Sequence, residues 1–415
     1  MSLASRTRAL LDQALDAYQD SPRAVSWLRR QVNRLDDPLR LAVAGPRQSG
    51  KSTMVNAIAG AEVAGPSAGL SWFRAAPSRS RDELTLIDTP PVDGEAAAGA
   101  IENIYLEADA VLFLVRHPHR ADLGFLHAMR DHPIARASTV NAIVVLSRAD
   151  ELGGGRVDAV ISARHVARRY RREPEVGELC QDVVPVAGLL ASAGRTLRQP
   201  EFDALADLAR VPRAELAPQL MSADRFTAQD PSVRGGLLER FGLFGVRIAV
   251  TLIRRGAQSL PALAAQLVPR SGLAELRDAM DQAFVERRPV LKARSALLGL
   301  DVVLRMEPRP ASAALAAELE RTLAGAHDFR ELRLLAALRT GRTELPPELL
   351  SEAVRLLGGQ GTGVEERLGG HSESEIFEMI RRWRAWAEDP ACSAGDRRAA
   401  AVVLRSCEEL VARIR

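Results

Sequence analysis

The sequence of 415 residues predicts an α/β domain with a doubly wound, mainly parallel sheet, joined to an α-helical bundle built from N- and C-terminal helices. Three observations lead to this prediction. Continuous apolar runs alternate with helical patterns in the first half, which is typical of parallel strands buried on both faces. A phosphate-binding motif stands between the first apolar run and the helix after it. The last third consists of amphipathic helical patterns interrupted by prolines, at which helices end.

The same patterns suggest domain boundaries. Residues 1–38 form the N-terminal helical part of the bundle, and Pro22 divides this part in two because proline interrupts a helix. Residues 39–286 form the α/β domain, with a helical insertion at 196–268. Residues 287–415 form the C-terminal helices of the bundle.

The phosphate-binding loop is the most specific motif. Residues Gly45–Ser52 fit G-x-x-x-x-G-K-[ST], between the apolar run Leu39–Ala44 and the helical pattern Thr53–Ala59. Of the 56 basic residues only Lys51 and Lys292 are lysines, and we expect lysine where a planar guanidinium would not fit against the phosphates. Phosphate binding is therefore assigned to the loop and the start of its helix, at Gly45, Ser49, Gly50, Lys51, Ser52 and Thr53.

A second apolar run provides a metal site. Leu84–Asp88 is a short strand pattern that ends in a carboxylate, which is the Walker B arrangement. We expect Asp88 to hold Mg²⁺ through water, and Ser52 to supply a direct hydroxyl ligand.

Base recognition is assigned to the residues after a later strand. The runs Ala110–Val115 and Asn141–Leu146 read as buried parallel strands, and the second is followed at once by Ser147-Arg148-Ala149-Asp150. This tetrapeptide is similar to the [N/T]-K-x-D motif that recognises guanine. Asp150 would accept hydrogen bonds from the base, and Arg148 would lie over its ring. The alternative is that Asp150 only closes a turn or caps a helix.

The last strand pattern, Val183–Val186, is followed by Ala187 and Gly188, which we expect in the loop under the base. Parallel sheets bind nucleotides at the carboxyl ends of their strands, so these residues and Ser147 should meet the phosphate-binding loop there.

Composition excludes several classes of protein. A net charge of +3 is too small for the basic footprint of a nucleic-acid-binding domain. The three cysteines form no metal or disulfide pattern, so a reducing cytoplasm is expected. The first residues do not read as a signal peptide. No run of eighteen apolar residues is present, so we expect any membrane contact to be peripheral.

Together these motifs resemble the actinobacterial dynamin-like GTPases, in particular the isoniazid-induced dynamin-like proteins. The resemblance extends nearly end to end, and beyond the nucleotide motifs it is carried by Leu146–Gly153, Cys180–Leu190, Arg195–Gln199 and Leu238–Gly245. It implies an α/β P-loop GTPase domain with Mg²⁺ and GTP or GDP as ligands, and a bundle formed from both chain ends. It also implies peripheral association with the anionic inner face of the cell membrane, for remodelling or septation, and assembly with itself or with a paralogous dynamin-like protein.

Two departures concern the switch regions. Asp88 follows Lys51 by only 37 positions, and the switch threonine that completes Mg²⁺ coordination has no clear counterpart. Ser67 or Ser71 could replace it, although Gly65–Gly69 reads better as a plain loop. The expected D-x-x-G reads Asp88-Thr89-Pro90-Pro91, and proline has no N–H to give to the γ-phosphate. Discrimination between GTP and GDP should therefore be weak.

A third departure lies in the phosphate-binding loop, where self-activating relatives place a serine or arginine and this chain has Gln48. The neighbouring Arg47 either reaches a phosphate as an internal arginine finger or is simply exposed. Gln48, Arg47 and Lys51 are thus the candidate catalytic residues. The sequence predicts guanine-nucleotide binding with weak or partner-dependent hydrolysis. A pseudo-GTPase scaffold and a P-loop ATPase or kinase remain the alternatives.

Two basic segments are candidates for lipid contact, and an apolar segment must be distinguished from a membrane paddle. Arg164–Arg172 reads better as a solvated helix face, whereas the arginines around Trp383 and Trp386 fit a lipid surface and a packed core equally well. Leu237–Ile253 is the most apolar helical stretch, and its position favours buried packing.

Overall fold

The computed structural model describes residues 2–65, 69–75, 84–93, 97–118, 122–131, 141–152 and 158–414. Its centre is a six-stranded sheet in the order β2-β3-β1-β4-β5-β6. The strands are β1 Leu39–Ala44, β2 Ser71–Ala75, β3 Leu84–Asp88, β4 Ala110–Val115, β5 Ala142–Ser147 and β6 Val183–Val186. All neighbouring pairs are parallel except β2 with β3.

The five strands predicted from apolar runs are confirmed, with β5 shifted by one residue. Strands β4, β5 and β6 are buried along their whole length, which explains their continuous apolar sequences. The antiparallel strand β2 was not predicted. It places the candidate switch residue Ser71 in register with Asp88, whereas Ser67 lies outside the described residues.

Within the described ranges, seven helices surround this sheet: α3 Lys51–Ala59, α4 Ala97–Glu107, α5 Gly124–Asp131, α6 Ala159–Arg172, α7 Pro174–Gly177, α8 Gly188–Arg195 and α14 Leu273–Met280. The basic face of α6 is partly neutralised, because Arg164 pairs with Glu275 and Arg171 pairs with Asp182. The helix α3 begins at the end of the phosphate-binding loop, as the motif requires.

Between α8 and α14 the chain forms five helices with a core of their own: α9 Gln199–Arg210, α10 Arg213–Gln219, α11 Ala223–Thr227, α12 Pro231–Arg254 and α13 Leu260–Arg270. Most of the apolar segment Leu237–Ile253 is buried in this core, which confirms its packing role. The helix α12 is interrupted by a kink at Gly242, whose φ of 63° and ψ of 168° are not helical.

The two ends of the chain pack together beside the sheet. The first helices, α1 Leu3–Ala17 and α2 Pro22–Arg34, are separated at Pro22 as predicted. Both pack on α15 Arg288–Met306, which follows a π-helical turn at Asp281–Val285, and α1 also packs on α16 Ser312–Gly325. Their apolar side chains belong to the same hydrophobic cluster as the strands.

The remaining helices share another hydrophobic cluster, to which α17 contributes its second half, while Phe329 and Leu332 of α17 belong to the cluster of the strands. These helices are α17 His327–Arg339, α18 Pro347–Leu356, α19 Val364–Leu368, α20 Glu373–Glu388 and α21 Ala394–Ile414. Trp383 is fully buried there, and its indole Nε1 donates to Glu352 Oε1 over 2.6 Å. The neighbouring Arg381, Arg382 and Arg384 each form an ion pair with a glutamate. This tryptophan therefore serves the core. In the part of the chain that the structure describes, no helix is long and apolar enough to cross a membrane.

Candidate nucleotide site

Two glycines shape the loop between β1 and α3. At Gly45 an added Cβ would lie 2.4 Å from the backbone oxygen of Leu114, so a side chain cannot fit against β4. Gly50 adopts a left-handed φ of 91° and caps α3 without a side-chain hydrogen bond. The first N–H groups of α3 consequently point into the loop without a side-chain cap, which is the arrangement that binds phosphate oxygens.

Lys51 is buried beneath the loop. Its Nζ donates to the backbone oxygens of Gly45 at 3.1 Å and Pro46 at 3.0 Å. Burial lowers the pKa of Lys51, while the nearby carboxylates of Asp88 and Asp93 oppose that shift. The ammonium thus holds the loop closed from within and lies beside the position where phosphates would bind.

The residues expected to hold Mg²⁺ are in contact. Ser52 Oγ donates to Asp88 Oδ2 over 2.7 Å, and the other carboxylate oxygen of Asp88 is buried without a hydrogen-bond partner. Burial raises the pKa of Asp88, partly offset by Ser52 and Lys51. An unsatisfied buried oxygen beside a hydroxyl fits a hard cation that takes oxygen ligands. Among the described residues, no group of three or more His, Cys, Asp or Glu side chains is placed to hold a metal ion.

The base motif and the phosphate loop face one cavity of about 160 Å³. Arg148, with a left-handed φ of 52°, joins the two motifs: its Nη1 donates to Glu151 Oε1 at 2.8 Å and its Nη2 to the backbone oxygen of Gln48 at 3.2 Å. Of the predicted site residues, the cavity is lined by Ser49, Gly50, Thr53, Ser147, Arg148, Asp150 and Gly188.

Asp150 lies half-buried at the base end of this cavity. Burial raises its pKa, and Glu151 acts in the same direction, while Arg148 opposes both. The kink of α12 lies beside it, since a Cβ added to Gly242 would be 3.9 Å from Asp150 Oδ2. Burying an ionised carboxylate costs free energy, and hydrogen bonds donated by a bound base would reduce that cost.

Ala187, which the sequence places in the loop under the base, is not among the residues that line the cavity. It is buried, and its N–H donates to the backbone oxygen of Ser271 over 2.9 Å, so it supports the loop from beneath and does not line the cavity. The cavity also contains five residues that sequence reasoning missed, namely Met54, Leu114, Glu151, Val186 and Leu189. Four of them, Met54, Glu151, Val186 and Leu189, are adjacent in sequence to predicted site residues, which was the available signal.

The segment after Asp88 packs directly on the phosphate-binding loop. Val92 N–H donates to the backbone oxygen of Gly45 at 3.3 Å, and the backbone N–H of Arg47 donates to Asp93 Oδ1 at 2.9 Å. A carboxylate of the chain is therefore bonded to a loop whose amides are suited to phosphate oxygens. Sequence reasoning missed Asp93, although a carboxylate five positions after Asp88 was visible. The side chains of Arg47 and Gln48 are exposed.

These features define a P-loop α/β protein with a helical bundle. No family model matches the chain. Among curated proteins, the isoniazid-induced protein IniC of Mycobacterium tuberculosis, from strains CDC 1551 and H37Rv, is 34% identical over an alignment that covers 99% of this chain and 99% of the relative. The chain belongs to the dynamin-like family of IniC.

Two solved structures are similar at lower identity. One is an oligomerised bacterial dynamin pair described as providing a mechanism for long-range sensing and tethering of membranes, with 12% identity and a TM-score of 0.33 over 99% of this chain and 75% of the other. The second is LeoA, a bacterial dynamin GTPase from ETEC, with 13% identity and a TM-score of 0.28 over 99% of this chain and 87% of the other.

Proposed function

We propose that this protein binds guanine nucleotide with Mg²⁺ and hydrolyses GTP slowly alone, or only when assembled with a paralogous dynamin-like partner. The observation that carries the proposal is the meeting of two distant motifs in one cavity, joined by the hydrogen bond from Arg148 to the backbone of Gln48. A phosphate loop by itself fits any P-loop class, whereas a carboxylate at the opposite end of the cavity fits guanine.

Each part of the site has a role in this proposal. The amides at the start of α3 and the ammonium of Lys51 bind phosphate, which requires Lys51 Nζ to exchange its carbonyl partners for phosphate oxygens. Ser52 and Asp88 hold Mg²⁺, which neutralises charge on the β- and γ-phosphates when it is bound. Asp150 accepts hydrogen bonds from the N1 and N2 groups of guanine.

The weak hydrolysis follows from the side of the site that would hold the γ-phosphate. Pro91 cannot donate a backbone N–H, and Asp93 brings a negative carboxylate to the loop. Both features weaken binding of a γ-phosphate, so the site should not prefer a triphosphate to a diphosphate. They also favour the second candidate function, a pseudo-GTPase scaffold that keeps its G domain as a surface for an active paralogue.

The test is titration of the purified protein with fluorescent GDP and a non-hydrolysable GTP analogue in Mg²⁺, with ATP as competitor. We expect similar affinities for both guanine nucleotides and a much weaker affinity for ATP. Asp150→Asn should lose GDP and gain xanthosine diphosphate, because the amide offers a donor where xanthine presents an oxygen. Lys51→Ala should lose all nucleotides. Rapid multiple-turnover hydrolysis by the protein alone would contradict the proposal, and absence of any nucleotide binding would favour the scaffold.

Family membership supports a further part of the proposal, which is assembly on the anionic inner face of the cell membrane for remodelling or septation. Flotation with vesicles tests it. Vesicles that contain anionic lipid should carry the protein upward, neutral vesicles should not, and added salt should weaken the association. Equal flotation with both kinds of vesicle would contradict an electrostatic surface contact.

A further inference from the structure

We propose that the kink of α12 is the outer wall of the base pocket, and that Gly242 is a specificity-determining position for guanine. This inference rests on the proposed function, because it concerns the same site. It brings the helical insertion, which contains none of the nucleotide motifs, into contact with the base.

The backbone at Gly242 has a conformation that only glycine adopts readily. Its φ of 63° and ψ of 168° lie in a region essentially closed to residues with a Cβ, and they interrupt a helix of 24 residues. An added Cβ would lie 3.4 Å from Leu189 Cδ1 and 3.9 Å from Asp150 Oδ2. Leu189 and Asp150 both line the base end of the cavity, so the kinked backbone lies directly behind the recognition residues.

Contacts on both sides hold the kink in place. Phe241 and Phe244 are buried in the core of the insertion. Two residues before the kink, Arg240 Nε donates to Glu201 Oε1 at 2.8 Å, and its Nη2 donates to Thr196 Oγ1 at 2.8 Å. The position of the wall is therefore set by the insertion as a whole and not by a mobile side chain.

Arg240 also connects α12 to the phosphate end of the site. Its Nη1 lies 2.7 Å from Glu62 Oε1, in the segment between α3 and β2. The same segment approaches the metal-binding hydroxyl, because the backbone oxygen of Gly65 lies 3.4 Å from Ser52 Oγ. The insertion thus contacts Leu189 and Asp150 of the cavity, and it contacts the segment before β2 through Arg240.

Close helix packing does not account for the kink. Gly245, one turn later, is the packing glycine: its added Cβ would lie 3.0 Å from Phe241 Cβ and 3.4 Å from Leu190 Cδ1, with no positive φ. A straight helix through Gly242 would keep its backbone hydrogen bonds, so the kink must have a local structural cause. At Gly242 the neighbours are the base-pocket residues.

Gly242→Ala is the direct test, with Gly236→Ala as the matched control. Gly236 lies in the same helix, has no positive φ, and would have no atom within 4 Å of an added Cβ. We expect the substitution in the Gly242 variant to shift the wall of the base pocket. The ratio of GDP affinity to ADP affinity should fall at least tenfold, mainly because GDP binds more weakly. The Gly236 variant should keep the ratio of the unmodified protein. Competition titration against fluorescent GDP measures both.

Hydrogen exchange of the unmodified protein gives a second test that does not depend on the stability of a variant. Saturating GDP should slow exchange of the α12 amides around Gly242, because the base closes the cavity against them. Unchanged exchange there, or an unchanged affinity ratio in Gly242→Ala, would overturn the inference alone. Failure of the unmodified protein to bind GDP would overturn both this inference and the proposed function, so the two failures are distinguishable.

Discussion

Lys51 and Lys292, the two lysines of the chain, make the same kind of contact: each buried ammonium donates to two backbone oxygens. For Lys292 these belong to Arg34 and Asp37 at the end of α2, and burial lowers its pKa to about 8. A compact ammonium fits between two carbonyls, where a planar guanidinium is too wide. In this arginine-rich chain, both lysines therefore lie where the ammonium fits between two backbone carbonyl oxygens. A lysine alone does not indicate phosphate binding.

Asp93 is the residue at which nucleotide preference can be tested most directly. Its carboxylate accepts a hydrogen bond from the loop at Arg47, where an added γ-phosphate would meet a like charge. We expect Asp93→Asn to raise affinity for a non-hydrolysable GTP analogue about fivefold relative to GDP, since two unit charges about 4 Å apart in water repel by about 1 kcal/mol. Titration with both nucleotides measures the ratio.

Asp12→Asn, at an exposed position on α1, is the control for a general change of charge. It should leave both affinities unchanged. Equal gains for GDP and for the GTP analogue in Asp93→Asn would show that the carboxylate repels phosphates in general and does not select against the γ-phosphate.

At the scale of elements, α17 is tied to its neighbours through a buried histidine. His327 Nε2 shares a hydrogen bond of 2.9 Å with Ser406 Oγ on α21, and its Nδ1 is buried without a partner. Nearby Glu331 is paired with Arg367 of α19. Burial lowers the pKa of His327; Glu331, Glu409 and Asp328 oppose this shift, while Arg405 reinforces it.

This histidine predicts a pH dependence of stability. A folded-state pKa below the ordinary value of 6.5 means that the unfolded chain binds the proton more readily. The contribution of His327 is thus fully present above about pH 6.5 and is lost as the pH falls through the lowered pKa. Urea denaturation between pH 8 and pH 5 should show it. His327→Gln should flatten the dependence, and His165→Gln, exposed on α6, should not. Equal slopes in both variants would contradict the assignment.

At the scale of the whole molecule, the sequence predicted the features that are formed by residues close together in the chain. The P-loop, Ser52 and Asp88 follow from short motifs attached to apolar runs. The strand β2 escaped prediction because it is a short edge strand, stabilised by pairing with β3 and by Arg40 lying over Trp72. Gly242 escaped because its contact with Asp150 joins residues far apart in sequence, and only tertiary packing brings them together.

The junction of the α/β domain with the bundle is also invisible in the sequence. Arg34 of α2 reaches the residue before β4, where its Nε donates to Asp109 Oδ1 at 3.0 Å. The side chain of Arg34 is 3% exposed and that of Asp109 is 0% exposed. The other oxygen of Asp109 accepts from the backbone N–H of Arg40 at 2.9 Å. Since the strands and helices α1 and α15 share one hydrophobic cluster, we expect them to unfold together.

Asp109→Asn tests whether this buried pair holds the junction. The substitution leaves the guanidinium of Arg34 buried without its negative counter-charge, which should cost about 3–5 kcal/mol of unfolding free energy. The control is Asp36→Asn, because Asp36 pairs with Arg8 at the surface, where the side chains are 73% and 42% exposed, and its loss should cost at most about 1 kcal/mol. Urea denaturation followed by circular dichroism measures both. Similar small losses in the two variants would mean that apolar packing alone joins the domain to the bundle.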